Sequence, residues 1–132
     1  MKPFSCDVCG YVVSLKRLSR APYLVNAGHK DRRIQIEALG QHFHVLRYDC
    51  RGHGSSDVPA GPYSVDRLGR DAVESLDALK IGHAHFLGLS LGGMVGQWLG
   101  IHAPERIDRL ILANTSAYLG PTINGRDALH PS

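Results

Sequence analysis

Apolar residues at Val65, Leu68, Ala72, Val73, Leu76 and Leu79 recur at three- and four-residue intervals, the mark of a helix with one buried face. Ser64 stands just before this run as an N-cap, and Gly82 just after it as a stop. A second run of the same period, Met94, Val95, Trp98, Leu99 and His102, starts directly after Ser90 and is closed by Pro104. Three segments are short and mostly apolar instead: Phe43 to Tyr48, residues 84–89 with His85-Phe86-Leu87 among them, and Leu110-Ile111-Leu112-Ala113. These predict buried strands. Ile34, Ala38 and Leu39 mark one face of a short helix closed by Gly40. Further upstream the pattern thins. Tyr11-Val12-Val13 and Tyr23-Leu24-Val25 fit two short strands, the second running into Asn26-Ala27-Gly28. Asp49 to Asp57 is a Gly/Ser-rich loop that continues through Pro59-Ala60-Gly61-Pro62.

Strands that alternate with helices predict a parallel sheet flanked by helices on both faces. In such sheets ligands and chemistry gather beyond the carboxyl ends of the strands. Three segments fall there: the 49–57 loop, the stretch after the 84–89 strand, and Asn114-Thr115-Ser116.

The second of these carries the chemistry. Gly88-Leu89-Ser90-Leu91-Gly92 is a G-x-S-x-G pentapeptide between a strand and a helix. A serine on that sharp turn is pushed out of the chain as a nucleophile, with its backbone forced to positive φ. The residues two before and two after must then be very small, which Gly88 and Gly92 satisfy. Gly93 and Gly96 sit on the first turns of the helix, where it would press closely on the sheet.

Composition narrows the class without naming a reaction. The chain has 132 residues, 43% of them hydrophobic, enough for the core of one small domain. No apolar run approaches the length of a membrane span, and the N-terminus lacks the charged start, apolar stretch and cleavage site of a secretory leader. A cytoplasmic protein is expected. Three cysteines are an odd number, so no disulfide framework is predicted. Cys6 and Cys9 form a C-x-x-C without a second ligand pair, which is not a zinc site, and Cys50 fits a small residue beside a turn. The net charge of +3 is uneven: residues 1–34 hold seven Lys/Arg against two acidic residues, the remainder eight against ten. The basic residues are scattered, without aromatic interleaving, so no nucleic-acid partner is expected.

Together these residues resemble the α/β-hydrolase family, and residues 35–121 resemble its 3-oxoadipate enol-lactonase members. The stretches concerned are Gln35 to Leu39, Val45 to Asp49, Arg51-Gly52-His53-Gly54 with Ser56-Asp57, and Gly61-Pro62-Tyr63. They continue through the run from Gly88 to Trp98, Ala103 to Arg106, and Asn114 to Gly120. Residues 1–34 match poorly, and 122–132 not at all. The resemblance implies Ser90 as nucleophile and the backbone N–H of Leu91 as one oxyanion donor. The second donor comes from a loop after an earlier strand; the nearest match, Asn26-Ala27-Gly28-His29, places it at Gly28. Gly88 and Gly92 shape the turn. The implied substrate is a small lactone or ester, with no metal or organic cofactor.

The family triad runs Ser, Asp, His, and its acid and histidine lie beyond an inserted cap. The 132 residues hold neither cap nor C-terminal strands. Of the resident histidines, His42, His44, His83 and His85 fall at the wrong end of the sheet, and His102 several turns down its helix. His53 lies in a loop that is structural in the family, and His29 and His130 lie in the unmatched ends. Asp49 and Asp57 suit loop-building better than a triad. The expectation is a partial α/β-hydrolase with little or no activity alone and an apolar sheet edge open to self-association. Two other readings stay open: a different esterase of the family, or a non-catalytic interaction module.

Overall fold

The computed structural model describes the backbone of residues 4–5, 12–16 and 22–26, and residues 37–53, 56–61 and 63–117 together with their side chains. In chain order the elements are β1 (Phe4–Ser5), β2 (Val12–Lys16), β3 (Pro22–Asn26), β4 (His44–Tyr48), α1 (Val65–Ala78), β5 (Ala84–Leu89), α2 (Leu91–His102), a 3₁₀ turn (Pro104–Arg106) and β6 (Ile107–Ala113). They form one six-stranded sheet in the order β1-β2-β4-β3-β5-β6. The four strands β4, β3, β5 and β6 are parallel, as the alternation of strands and helices predicts. β1 and β2 add an antiparallel margin to β4, which the sequence pattern did not reveal. β4 lies between β2 and β3, although both precede it in the chain.

β4 and β5 alternate between two cores. Leu46 and Tyr48 of β4 and Ala84 and Phe86 of β5 join Leu68, Ala72 and Leu76 of α1 and Val95 and Leu99 of α2 in one cluster. Val45 packs instead with Leu39, Phe43 and Leu87 in a second cluster, beside the helical residues 37–39. So α1 and α2 share one face, and the short 37–39 turn serves the other. Ile34, expected on that short helix, lies outside the described residues. Burial in the first cluster takes the Phe86, Leu46, Leu76 and Leu99 side chains out of water, each worth about 1.5–3 kcal/mol.

The start of α1 is as predicted: Ser64 is extended (φ −95°, ψ 159°) and its hydroxyl accepts from the Arg67 N–H at 3.0 Å. Its end is not. Gly82 is not the stop; the left-handed residue is Lys80, with φ 57°. The Ile81 N–H reaches the Leu76 carbonyl and the Lys80 N–H the Asp77 carbonyl, both at 2.9 Å, which is a Schellman closure with lysine in the position glycine usually takes. Between the helices Gly69 lets the Trp98 ring lie directly on α1, where a Cβ would strike it. The Trp98 indole N–H donates to Asp66 Oδ1 at 3.1 Å. Arg106 anchors the start of β5 to the segment before β6, donating to the carbonyls of Gly82 (2.6 Å) and Ile81 (3.0 Å) and pairing with Asp77. Cys50 is buried in the main core, and Cys6 and Cys9 lie outside the described residues. Among the described residues no helix is long and apolar enough to cross a membrane.

Candidate active site

The carboxyl ends of three parallel strands converge on Ser90. Gly88 of β5 is in register with Asn26 of β3 on one side and Leu112 of β6 on the other. β5 ends at Leu89, and α2 begins at Leu91. The single residue between them, Ser90, has φ 53° and ψ −117°, a conformation costing a non-glycine residue about 1–3 kcal/mol. It persists because the surroundings over-determine it. The Ser90 N–H donates to the Ala113 carbonyl at 3.0 Å. The Ser90 carbonyl accepts three hydrogen bonds: from the N–H of Gly93 at 2.9 Å, from the N–H of Met94 at 3.3 Å and from the Thr115 hydroxyl at 2.8 Å. The residue itself is exposed, and its side chain makes no cap bond to α2.

Glycine is required where the sequence placed it. A Cβ on Gly88 would run into the Gly92 carbonyl, so the two small residues flanking the turn face each other across it. A Cβ on Gly93 would strike the Thr115 side chain, and one on Gly96 would come within 2.7 Å of Leu112 and 3.0 Å of Phe86. α2 therefore seats directly on β5 and β6. Its first turn presents the amides of Leu91 and Gly92, which have no carbonyl one turn earlier to bond. Gly28, expected to supply a second donor, lies outside the described residues; β3 ends two residues before it, at Asn26, beside Gly88.

The 49–57 loop follows β4, two strand spacings from β5, or roughly 10 Å across the sheet. It is closed on itself: Ser56 Oγ donates to the Asp49 carbonyl at 2.7 Å and the Gly52 N–H to the Asp57 carbonyl at 2.9 Å. His53 Nδ1 lies 3.2 Å from the Arg51 carbonyl, within the same loop. The loop is tied to α1 through Arg51, whose Nε and Nη2 each approach the Asp71 carboxylate at 2.6 Å. Arg67 adds two more hydrogen bonds to Asp71 and one to Glu74. This buried cluster escaped the sequence reading. Its trace was an acidic residue at position 71, between the apolar Leu68 and Ala72 of the core-facing side.

The histidines stand where the strand pattern placed them. His44 opens β4, and His83 and His85 lie at the amino end of β5, where His83 pairs with Asp108 at 2.7 Å. His102 closes α2, roughly 16 Å along the helix from Leu91, and stacks on Trp98 with ring centroids 4.8 Å apart. His29 and His130 lie outside the described residues. Among the described residues, then, a strained and exposed serine heads a helix, and no histidine shares its edge except His53. No group of three or more His, Cys, Asp or Glu side chains there is placed to hold a metal ion.

Residues 24–130 match the model of the alpha/beta hydrolase fold. The chain belongs to that family. Over 86 residues it is 50% identical to 3-oxoadipate enol-lactonase 2 of Acinetobacter baylyi, a match that takes in 65% of this chain and 32% of that protein. Among solved structures, a hydrolase from Pseudomonas aeruginosa PA01 superposes with a TM-score of 0.77 and 54% identity over 84% of this chain and 44% of that one. The enol-lactonase from Burkholderia xenovorans LB400 does so with a TM-score of 0.71 and 41% identity, over 80% of this chain and 43% of its own. The chain thus spans about a third of the curated relative and less than half of the solved ones. The family match opens at residue 24, within β3, earlier than the clearest resemblance at 35–121.

Proposed function

We propose that this chain is the nucleophile-bearing part of a serine ester hydrolase of the 3-oxoadipate enol-lactonase kind, working on a small lactone in aromatic catabolism. The observation that carries the proposal is the Ser90 backbone: strained, exposed, at the carboxyl edge of the sheet and at the head of α2. In this reading Ser90 Oγ gives up its proton to a base and attacks the lactone carbonyl. The N–H groups of Leu91 and Gly28 hold the oxyanion, the ring C–O bond breaks, and water then releases the acyl group from Ser90. No metal or organic cofactor is called for.

The base has no candidate of the right placement among the described residues. We therefore expect the 132-residue chain, taken by itself, to open the enol-lactone weakly or not at all, since loss of the base removes most of the rate while the oxyanion hole leaves a residue of it. The test is enol-lactone opening and fluorophosphonate labelling of the purified chain beside Ser90→Ala. Labelling that vanishes in Ser90→Ala supports the nucleophile, and labelling that persists refutes it. Turnover at the pace of a complete hydrolase would refute the missing base.

A second reading rests on β6. Leu110, Ile111 and Leu112 are exposed on a strand that no other described strand flanks on its outer side. Such an edge suits a non-catalytic module that pairs with another chain. A clean monomer in size-exclusion chromatography would speak against it.

A further inference from the structure

The three hydrogen bonds on the Ser90 carbonyl have a consequence beyond holding the turn. That carbonyl and the N–H of Leu91 belong to one peptide unit, planar and held trans. Fixing and polarising the oxygen therefore fixes and polarises the N–H on the opposite side of the same plane. Two of the three donors, the amides of Gly93 and Met94, are the ordinary first bonds of α2. The third is a side chain from another element: Thr115 Oγ1, at 2.8 Å, on the segment after β6. Resting on the reading of Ser90 as nucleophile and Leu91 as oxyanion donor, we propose that Thr115 is a positioning residue for the oxyanion hole, acting on the Leu91 N–H through the Ser90 carbonyl.

Three observations place Thr115 for this task. Asn114, just before it, has φ 46°, a left-handed step that turns the chain at the end of β6. Gly93 has no side chain to hold Thr115 off, and a Cβ there would meet Thr115 Oγ1 at 2.7 Å. Gln97 Nε2 of α2 donates to the Ser116 carbonyl at 3.2 Å, fastening the following residue to the same helix. With Ser90 N–H on Ala113, the segment 113–116 thus holds both backbone groups of Ser90. Hydrogen bonds in series strengthen one another by about 10–30% per bond, so a hydroxyl on the oxygen makes the N–H a stronger donor to an oxyanion.

The test replaces the hydroxyl and keeps the shape. Thr115→Val removes the donor, Thr115→Ser retains it, and Thr115→Ala is a second hydroxyl-free form should valine fold poorly. Two readouts are taken on the 132-residue chain: the Leu91 amide nitrogen resonance, and the rate of Ser90 phosphonylation by a fluorophosphonate. Loss of the hydroxyl is expected to move the Leu91 resonance upfield and slow phosphonylation by about 3- to 10-fold, with serine restoring both. A structural role alone would lower the melting midpoint without moving the Leu91 resonance. An unmoved resonance in the valine or alanine form, or failure of serine to restore it, overturns the proposal. Absence of phosphonylation in every form would be the mark of the missing base, and the resonance would still decide the role of Thr115.

Discussion

Arg51 holds Asp71 with two parallel hydrogen bonds, Nε to Oδ2 and Nη2 to Oδ1, both 2.6 Å long, and the Asp71 side chain is wholly buried. Arg67 shares the same carboxylate from one turn earlier on α1. The pair joins the loop after β4 to the helix that follows it, so the loop's position depends on a charge sealed beneath it. Removing one partner of a buried pair leaves the other charge uncompensated. Asp71→Ala is expected to lower the unfolding free energy by about 3–5 kcal/mol, measured by urea denaturation. Arg51→Lys, which keeps the charge and loses the fork, should fall well short of that. A loss below about 1 kcal/mol for Asp71→Ala would show that the pair contributes only what an exposed one does.

Lys80 occupies a left-handed position at the end of α1 that costs a side-chain-bearing residue about 1–2 kcal/mol. Glycine there avoids the strain but adds freedom to the unfolded chain, an offset of about 0.4–1 kcal/mol. Lys80→Gly is therefore expected to raise the melting temperature by a few degrees, with no change at Ser90. A fall in melting temperature would mean that Lys80 makes a compensating contact on the folded side.

Asp66 provides a pH probe with its own reporter. The Arg70 hydrogen bond, first, holds its carboxyl below the usual range; burial opposes this, and the Arg70 charge and the Trp98 indole N–H then reinforce it. A carboxyl depressed in the folded state stabilises above its unfolded pKa, and that stability is lost as pH falls through the folded value. Asp66 is largely exposed, so the gain is small, no more than about 0.5 kcal/mol after solvent screening. The stability gap between the native chain and Asp66→Asn should be constant from neutrality down to the ordinary carboxylate range and then shrink with further acid. Trp98 is the chain's single tryptophan, so its emission should shift over the same interval. A gap that widens in acid would reverse the sign.

The features readable in the sequence are those fixed by local chemistry. Ser64 as a cap, the burial of Leu68, Ala72 and Leu76, and the positive φ of Ser90 all follow from residue type and spacing within a few positions. What was missed depends on distant partners. Five-residue strands such as β2 carry no mark of direction, so its antiparallel pairing with β4 had no local cause. Asp71 stands on the core-facing side of α1, but its partner Arg51 lies 20 residues earlier, beyond the reach of any local pattern. Gly82 was the better stop by propensity, yet the backbone turns at Lys80, where Ile81 can reach Leu76. At the candidate site the serine and its glycines were plain, while the hold of Thr115 on the Ser90 carbonyl spans 25 residues and two elements.

The outer side of β6 sets the last expectation. Its middle residues Leu110, Ile111 and Leu112 are 37%, 46% and 39% exposed, unlike the β5 residues Ala84 and Phe86, which are fully buried. Leu110 and Leu112 lean toward Gly96 of α2, and Ile111 points to the opposite face. An edge strand that is apolar on both faces and has open backbone donors and acceptors is a template for another strand. The chain should therefore associate in a concentration-dependent way, seen by sedimentation velocity as a rising mean mass. Ile111→Lys puts a charge in the middle of the edge without touching the α2 contact, and a lysine there is the usual guard against edge pairing. It should return the chain to monomer while leaving the melting temperature within a few degrees. Should the native chain stay monomeric at high concentration, or Ile111→Lys associate as strongly as it does, β6 is not the surface through which copies meet.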